Sequence, residues 1–150
     1  MAEKLFDVIK KDHQEVKGIF EKILQTKKSD QREKLLDQLK SEIIPHMTAE
    51  EKILYRDLKD ECSECKEDVL EAYEEHHAAR LILDELMDLS ADDETFHAKA
   101  SVLQEMVSHH IKEEESTIFK DIKKHMKSDQ VEEILQKFEK EKEKAKGKAH

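Results

Sequence analysis

Glycine and proline are scarce, two and one in 150 residues. Such a chain has little turn chemistry and almost none of what a β protein requires, so the expected fold is all-α. Long hydrophobic runs are absent too. Nothing approaches the roughly 20 apolar residues of a membrane-spanning helix, so no bilayer span is expected. The opening "MAEKLFDVIKKDH" lacks the apolar core of a secretion signal. Cysteine is limited to Cys62 and Cys65, and without an export signal the expected compartment is a reducing cytoplasm. Positive charge is in deficit. The net charge of −10 argues against nucleic acid and against a membrane surface as partners. No Gly-rich phosphate loop and no Ser/His/Asp arrangement is apparent, so no catalytic residue is assigned.

What the chain has in abundance is charge, 43% of its residues, laid around aliphatic residues at steps of three and four. That periodicity reads as amphipathic helix rather than disorder. A first helix over 3–27 carries Leu5, Ile9, His13, Val16, Phe20 and Ile23 on one face. A second, over 31–60 and opened by an Asp30/Glu33 capping box, carries Leu35, Leu39, Ile43, His46, Glu50, Ile53 and Leu54. Pro45 inside it is expected to bend the axis one residue before His46. A third, over 66–89, carries Val69, Tyr73, His76, Arg80, Leu83 and Met87. A fourth, over 93–126, is capped from Ser90 or Asp92 and carries Leu103, Val107, His110, Glu114 and Ile118. Four such helices with short loops imply an antiparallel up-down-up-down four-helix bundle over residues 1–126. Residues 127–150 are expected to form a short helix with Ile134, Leu135 and Phe138, then a charged tail that frays.

Two stretches repeat one pattern. "HMTAEEKILY" from His46 and "HIKEEESTIF" from His110 both read His-x-x-x-Glu-Glu, then three residues, then an aromatic. Upstream, "DHQEVKGIFEKIL" at Asp12 aligns without a gap on "EHHAARLILDELM" at Glu75, pairing His13 with His76. The two offsets differ by a single residue, which one loop insertion explains, so the chain reads as a duplicated hairpin. His-x-x-x-Glu alone means little in so acidic a chain, where exposed pairs of this kind are ordinary. Height along the helices is more telling. Measured from the turns, the four His differ by roughly 3 to 6 Å at 1.5 Å per residue, which places them in one layer. Each sits on the apolar stripe of its helix, with Glu50 and Glu114 one turn beyond His46 and His110.

Buried carboxylates need partners or a metal. Four imidazoles and two carboxylates suit a pair of six-coordinate first-row ions, with the two Glu bridging them. Zinc prefers closed four-coordinate sites, so iron or manganese is favoured. Glu51 and Glu115 are candidates to hold imidazole N–H groups, or are surface acids. The alternative is a metal-free interaction protein with a His/Glu polar layer.

Asp12-His13, "PHMTAEEKILY", Glu75-His76 and "HIKEEESTIF" together resemble the hemerythrin-like proteins of the HHE cation-binding family, over about residues 3–126. The resemblance implies a non-haem, oxo- or hydroxo-bridged centre of two iron ions held by His13, His46, Glu50, His76, His110 and Glu114. It also implies binding of dioxygen, peroxide or nitric oxide, redox turnover of one of these in an oxidative or nitrosative stress response, or iron storage or sensing. Oxygen-carrying hemerythrins have a further His four residues along the third helix, where this chain has Arg80. A missing ligand leaves more open positions and suits peroxide or nitric oxide better than reversible oxygen storage.

The remaining candidates are read as structural. His77 and His109 point about 100° away from their neighbours and are expected at the surface or just outside the ligand layer, with a helix rotation as the alternative that would make one of them a fifth His ligand. His97 and His125 are expected to be exposed. Tyr55 and Phe119 read as core walls. Tyr73 reads as packing, or as a bond to a ligand. Arg80 is expected to pair with an acid. Cys62 and Cys65 read as incidental, or Cys65 as a thiol at a helix N-terminus.

Overall fold

The computed structural model of the chain describes residues 2–149. No β-strand occurs among them, as expected of so few turn residues. Helix α1 is Glu3–Gln25. Helix α2 (Ser29–Ala49), a π-helical turn (Glu50–Tyr55) and α3 (Arg56–Glu61) follow one another without a break. After a short 3₁₀ turn at Ser63–Cys65 comes α4, Lys66–Asp88. Helix α5 (Phe96–Glu113), a second π turn (Glu114–Ile118) and α6 (Phe119–His125) again run on continuously. Helix α7 is Ser128–Ala149. There are thus four rods and a fifth helix. α1 packs on α2 and α5, α4 packs on α5 and α2, and α7 lies along α2 and α1.

The apolar stripes read from the sequence are the buried faces. Leu5, Ile9, Val16, Phe20, Ile23, Leu39, Ile43, Val69, Leu83, Leu103 and Val107 are all buried. They form two separate apolar clusters. One holds Leu5, Ile9, Leu54, Leu58, Val69 and Ile118, the other Val16, Phe20, Leu39, Ile43, Leu83 and Leu103. The buried polar residues Asp12, His13, His46, Glu50, His76, His110 and Glu114 fall between those two groups in sequence on each rod.

Three local expectations are corrected. The second helix starts at Ser29 without a side-chain cap bond, and Asp30 Oδ1 instead accepts the N–H of Gln31 at 3.0 Å. The α5 rod starts at Phe96 rather than at 93, because Asp93 ties the preceding turn together by accepting both the N–H and the hydroxyl of Thr95. The C-terminal helix is neither short nor frayed. It runs 22 residues with Val131, Ile134 and Phe138 buried, and Lys142 reaches Asp12 of α1 at 2.7 Å. Its "EKEKEKAKGKAH" stretch looks polar all round, yet one lysine meets a buried acid. The last residue of that stretch, His150, lies outside the described residues. No helix among the described residues is long and apolar enough to cross a membrane.

Candidate metal centre

All six side chains singled out by the repeat, His13, His46, Glu50, His76, His110 and Glu114, are buried and converge. What orients them is a closed ring of carboxylates. Successive helical residues diverge by about 100°, so an acid beside a histidine cannot hold that same histidine. It reaches the next rod instead. Asp12 Oδ2 of α1 meets His46 Nδ1 of α2 at 2.8 Å, and Glu51 Oε2 meets His76 Nδ1 of α4 at 2.7 Å. Glu75 Oε1 of α4 meets His110 Nδ1 of α5 at 2.7 Å, and Glu115 Oε2 meets His13 Nδ1 of α1 at 2.7 Å. Each Nδ1–H is thereby donated outward and each Nε2 faces the interior, the polarity a metal-ligating imidazole needs.

Two of these acids are themselves anchored by a cation: Asp12 by Lys142 at 2.7 Å and Glu51 by Arg80 at 2.5 Å. Arg80 therefore pairs with an acid, as expected. Burial alone would raise the Asp12 and Glu51 carboxyls. The hydrogen bonds and charges of His46 with Lys142, and of His76 with Arg80, outweigh it and hold both below the ordinary range. The bond to His110 lowers Glu75 likewise.

Inside the ring the two Glu span the layer. Glu50 places Oε2 3.2 Å from His46 Nε2 and Oε1 3.2 Å from His76 Nε2. Glu114 places Oε1 3.1 Å from His13 Nε2 and Oε2 3.6 Å from His110 Nε2. His13 Nε2, His46 Nε2, Glu50 Oε2 and Glu114 Oε1 are fully buried and have no aligned hydrogen bond despite these short separations. Donor atoms that crowd together without bonding one another converge on a common point, which is what a cation requires. They form one group of possible ligands, and Glu50, His76 and His110 form a second. Glu50 belongs to both, so the residues present fit a pair of ions sharing a carboxylate.

Tyr55, read from the sequence as a core wall, is a residue of the site. Its ring is fully buried, and its hydroxyl donates to Glu114 Oε2 and lies 3.3 Å from Glu50 Oε1 and 3.1 Å from His110 Nε2. In an α-helix Tyr55 would point about 140° away from Glu50. The π turn, with its i→i+5 repeat, stacks the two on one face. The second π turn does the same for Phe119 after Glu114, but that residue has no hydroxyl and its ring stacks on Phe6 at 4.1 Å. Burial, then the charges of Glu114 and Glu50, raise the Tyr55 phenol well above its ordinary value, so it stays a neutral donor. Tyr73 does not touch a Glu or His of the inner layer. Its hydroxyl donates to the Glu51 carbonyl at 2.9 Å, pinning the π turn.

A cavity of about 20 Å³, enough for one water-sized molecule, opens on the inner histidines. Its walls are Val16, Ile43, Met47, Ala79, Val107 and Ile111. Arg80 turns outward to Glu51, so the inward place on α4 beside His76 is taken by the small side chain of Ala79. His77 is exposed, and His109 is 64% exposed and 3.9 Å from Glu75, so both lie outside the inner layer. His97 is exposed as expected, whereas His125 is half-buried. Cys62 and Cys65 are joined in a disulfide, so the cysteine count no longer argues for a reducing compartment.

The electrostatics of the layer set a proton count. Burial and the neighbouring Glu114 push the Glu50 carboxyl up to about 8. Burial pulls the His110 imidazole down, but Glu114 and Glu75 outweigh it and raise the group to about 10. Both groups therefore carry a proton at neutral pH, and a cation must displace both. Loading ferrous iron at pH 7 should therefore release protons, and the number released should fall between pH 8 and 10 as Glu50 ionises first. Calorimetry in buffers of different ionisation heat reads this number, and a release near zero at pH 7 contradicts it.

A helical scaffold presenting four imidazoles and two carboxylates, one of them common to both groups, with each imidazole oriented by an outer acid, has the donor set of a cation-binding protein. Residues 4–122 match the profile of the hemerythrin HHE cation binding domain, and the chain belongs to that family. A DNA nickase of Nostoc sp. (strain PCC 7120 / SAG 25.82 / UTEX 2576) is 28% identical over 132 residues, covering 88% of this chain and 37% of the relative. This chain thus corresponds to little more than a third of that protein. No solved structure matches it.

Proposed function

We propose that this chain is a non-haem di-iron protein of the cytoplasm that binds a small diatomic or peroxide ligand: dioxygen, peroxide or nitric oxide. In this reading the rods form an antiparallel up-down-up-down four-helix bundle. His13 and His46 would hold one ion and His76 and His110 the other, with Glu50 and Glu114 as the carboxylates that would be shared between them. The observation that carries the reading is the set of four fully buried, unbonded donor atoms facing one another. Mixed nitrogen and carboxylate donors in a layer with room for two ions favour iron, or manganese, over zinc. When bound, the iron pair supplies redox chemistry and open positions for the ligand. The protein's own contribution is orientation through the outer acids, a neutral Tyr55 hydroxyl aimed at both bridging carboxylates, and an apolar cavity. With Ala79 lining that cavity and Arg80 turned away, α4 offers one imidazole to the layer and leaves the ligand side open. That favours peroxide or nitric oxide reactivity over reversible oxygen storage; iron storage or sensing without turnover is the reading that remains if no such reactivity is found.

The test is the reaction with exogenous ligands. Optical bands of the iron-loaded protein should shift with azide, and peroxide consumption should fall at least about a hundredfold in His110→Ala, which removes a direct ligand. Unchanged consumption in that variant contradicts the reading.

The nicking activity named for the relative does not carry over in this account. A net charge of −10 disfavours tracking of phosphates, so no nucleic-acid partner is assigned. The iron-loaded protein should leave supercoiled plasmid intact without added reductant. Nicking by the wild type that disappears in Glu50→Ala contradicts this exclusion.

A further inference from the structure

A second cluster of metal-ligating side chains lies outside the His/Glu layer, formed by Cys62, Cys65 and His125. Cys62 closes α3, Cys65 caps α4 and His125 ends α6, so three elements meet there. The candidate ligand atoms all lie within 4.8 Å of one another. Cys62 and Cys65 are 3% and 2% exposed, while His125 is half-buried and gives the cluster a side toward solvent.

The disulfide between the two cysteines has little to do as a staple. It closes a loop of four residues, and the stabilisation from a cross-link grows with loop length. The same turn is already held by two backbone bonds, Cys62 N–H to the Leu58 carbonyl at 2.9 Å and Cys65 N–H to the Cys62 carbonyl at 3.1 Å. Nor does a structural disulfide need an imidazole brought in from another rod. Two thiolates do, because three donors of this kind make a soft-metal site.

We propose that Cys62, Cys65 and His125 form a redox-gated site for one thiophilic divalent ion of the zinc type, available only when the cysteine pair is reduced. A dithiol reductant transfers two electrons and two protons to the S–S bond and leaves as its own disulfide. The incoming ion then displaces both thiol protons and takes two thiolates and the neutral His125 ring, with water in the fourth position. The N-terminus of α4 favours negative charge on Cys65, and the ion neutralises thiolates that burial would penalise. Peroxide reverses the state: two thiolates, one hydrogen peroxide and two protons from solvent give the disulfide and two waters, and the ion leaves with the loss of two of its three protein ligands. Sulfur donors here and nitrogen and oxygen donors in the His/Glu layer would sort two kinds of metal within one chain. The proposal stands independently of the di-iron reading.

The test uses the full chain, reduced with a phosphine that is then removed without air, and titrated with cobalt(II). A thiolate-to-cobalt charge-transfer band should grow to a plateau at about one equivalent and be displaced by zinc. Cobalt taken up by the His/Glu layer does not give that band, which reports sulfur alone. The disulfide form should show none, a comparison that needs no variant. Cys62→Ser should lose the band, and His125→Ala should weaken cobalt binding at least about tenfold, since a direct ligand matters no less than its supports. A reduced chain without the band, a band indifferent to Cys62→Ser, or a disulfide that resists the phosphine overturns the proposal.

Discussion

Replacing Glu50 by methionine should make the metal-free protein more stable and leave it unable to take up its metal pair. Glu50 is fully buried, and Glu114 beside it raises its carboxyl to about 8. Such a group is retained at a cost that no packing demand explains. Exchanging buried ionisable groups for apolar ones of similar volume often stabilises a protein, here by about 2 kcal/mol, or roughly 4–8 °C in Tm for a chain of this size. The same exchange removes the one residue common to both groups of candidate ligands. Ferrous iron should therefore raise the Tm of the wild type by mass action and leave that of Glu50→Met unchanged. Thermal scans with and without iron, run side by side, give both halves of the result. A variant that is less stable without metal, or that still loads two ions, contradicts the account.

The second large effect is expected from Asp12→Ala, a residue that touches none of the inner donor atoms except through His46. Its Oδ2 holds His46 Nδ1 at 2.8 Å, and its other oxygen holds Lys142 of α7 at 2.7 Å. Losing an acid that orients a ligating imidazole typically costs ten- to a hundredfold in metal affinity. Because Asp12 serves only the His13/His46 group, the loss should be confined to one ion. At iron concentrations that give two ions in the wild type, Asp12→Ala should retain about one, the ion beside His76 and His110. Lys142→Ala should show the same selectivity in weaker form, since it leaves the Asp12 bond intact. Equal loss of both ions, or of neither, is the contrary outcome. The family match ends at residue 122, so α7 supports the centre from outside it, with Phe138 edge-on to His46 at 5.9 Å.

Much of this was legible in the sequence. Helical spacing named the buried faces, and the echo of His46 in His110, with that of His13 in His76, named all six converging side chains, because helix length converts position into height. Three things escaped it. The π turns at Glu50 and Glu114 are one-residue departures in backbone bonding with no compositional mark, and they turn Tyr55 from a core wall into a donor at the centre. The roles of Asp12 and Glu75 escaped because an acid next to a histidine in sequence serves a different histidine in space. The signal was present, however. Each of the four ring acids is written beside an inner residue: Asp12-His13, Glu50-Glu51, Glu75-His76, Glu114-Glu115. The fourfold recurrence of an adjacent acid marks the ring. Finally, the charged end of α7 looked like a fraying tail, because a lysine meeting a buried acid leaves no periodicity to read.

Metal analysis of the purified chain after anaerobic reconstitution with ferrous iron, with its optical spectrum before and after air, tests the central claim most directly. The account requires about two irons per chain and near-ultraviolet bands of a bridged ferric pair on exposure to air. A stoichiometry near zero, with a featureless spectrum, would mean that the His/Glu layer is a polar core and not a metal centre.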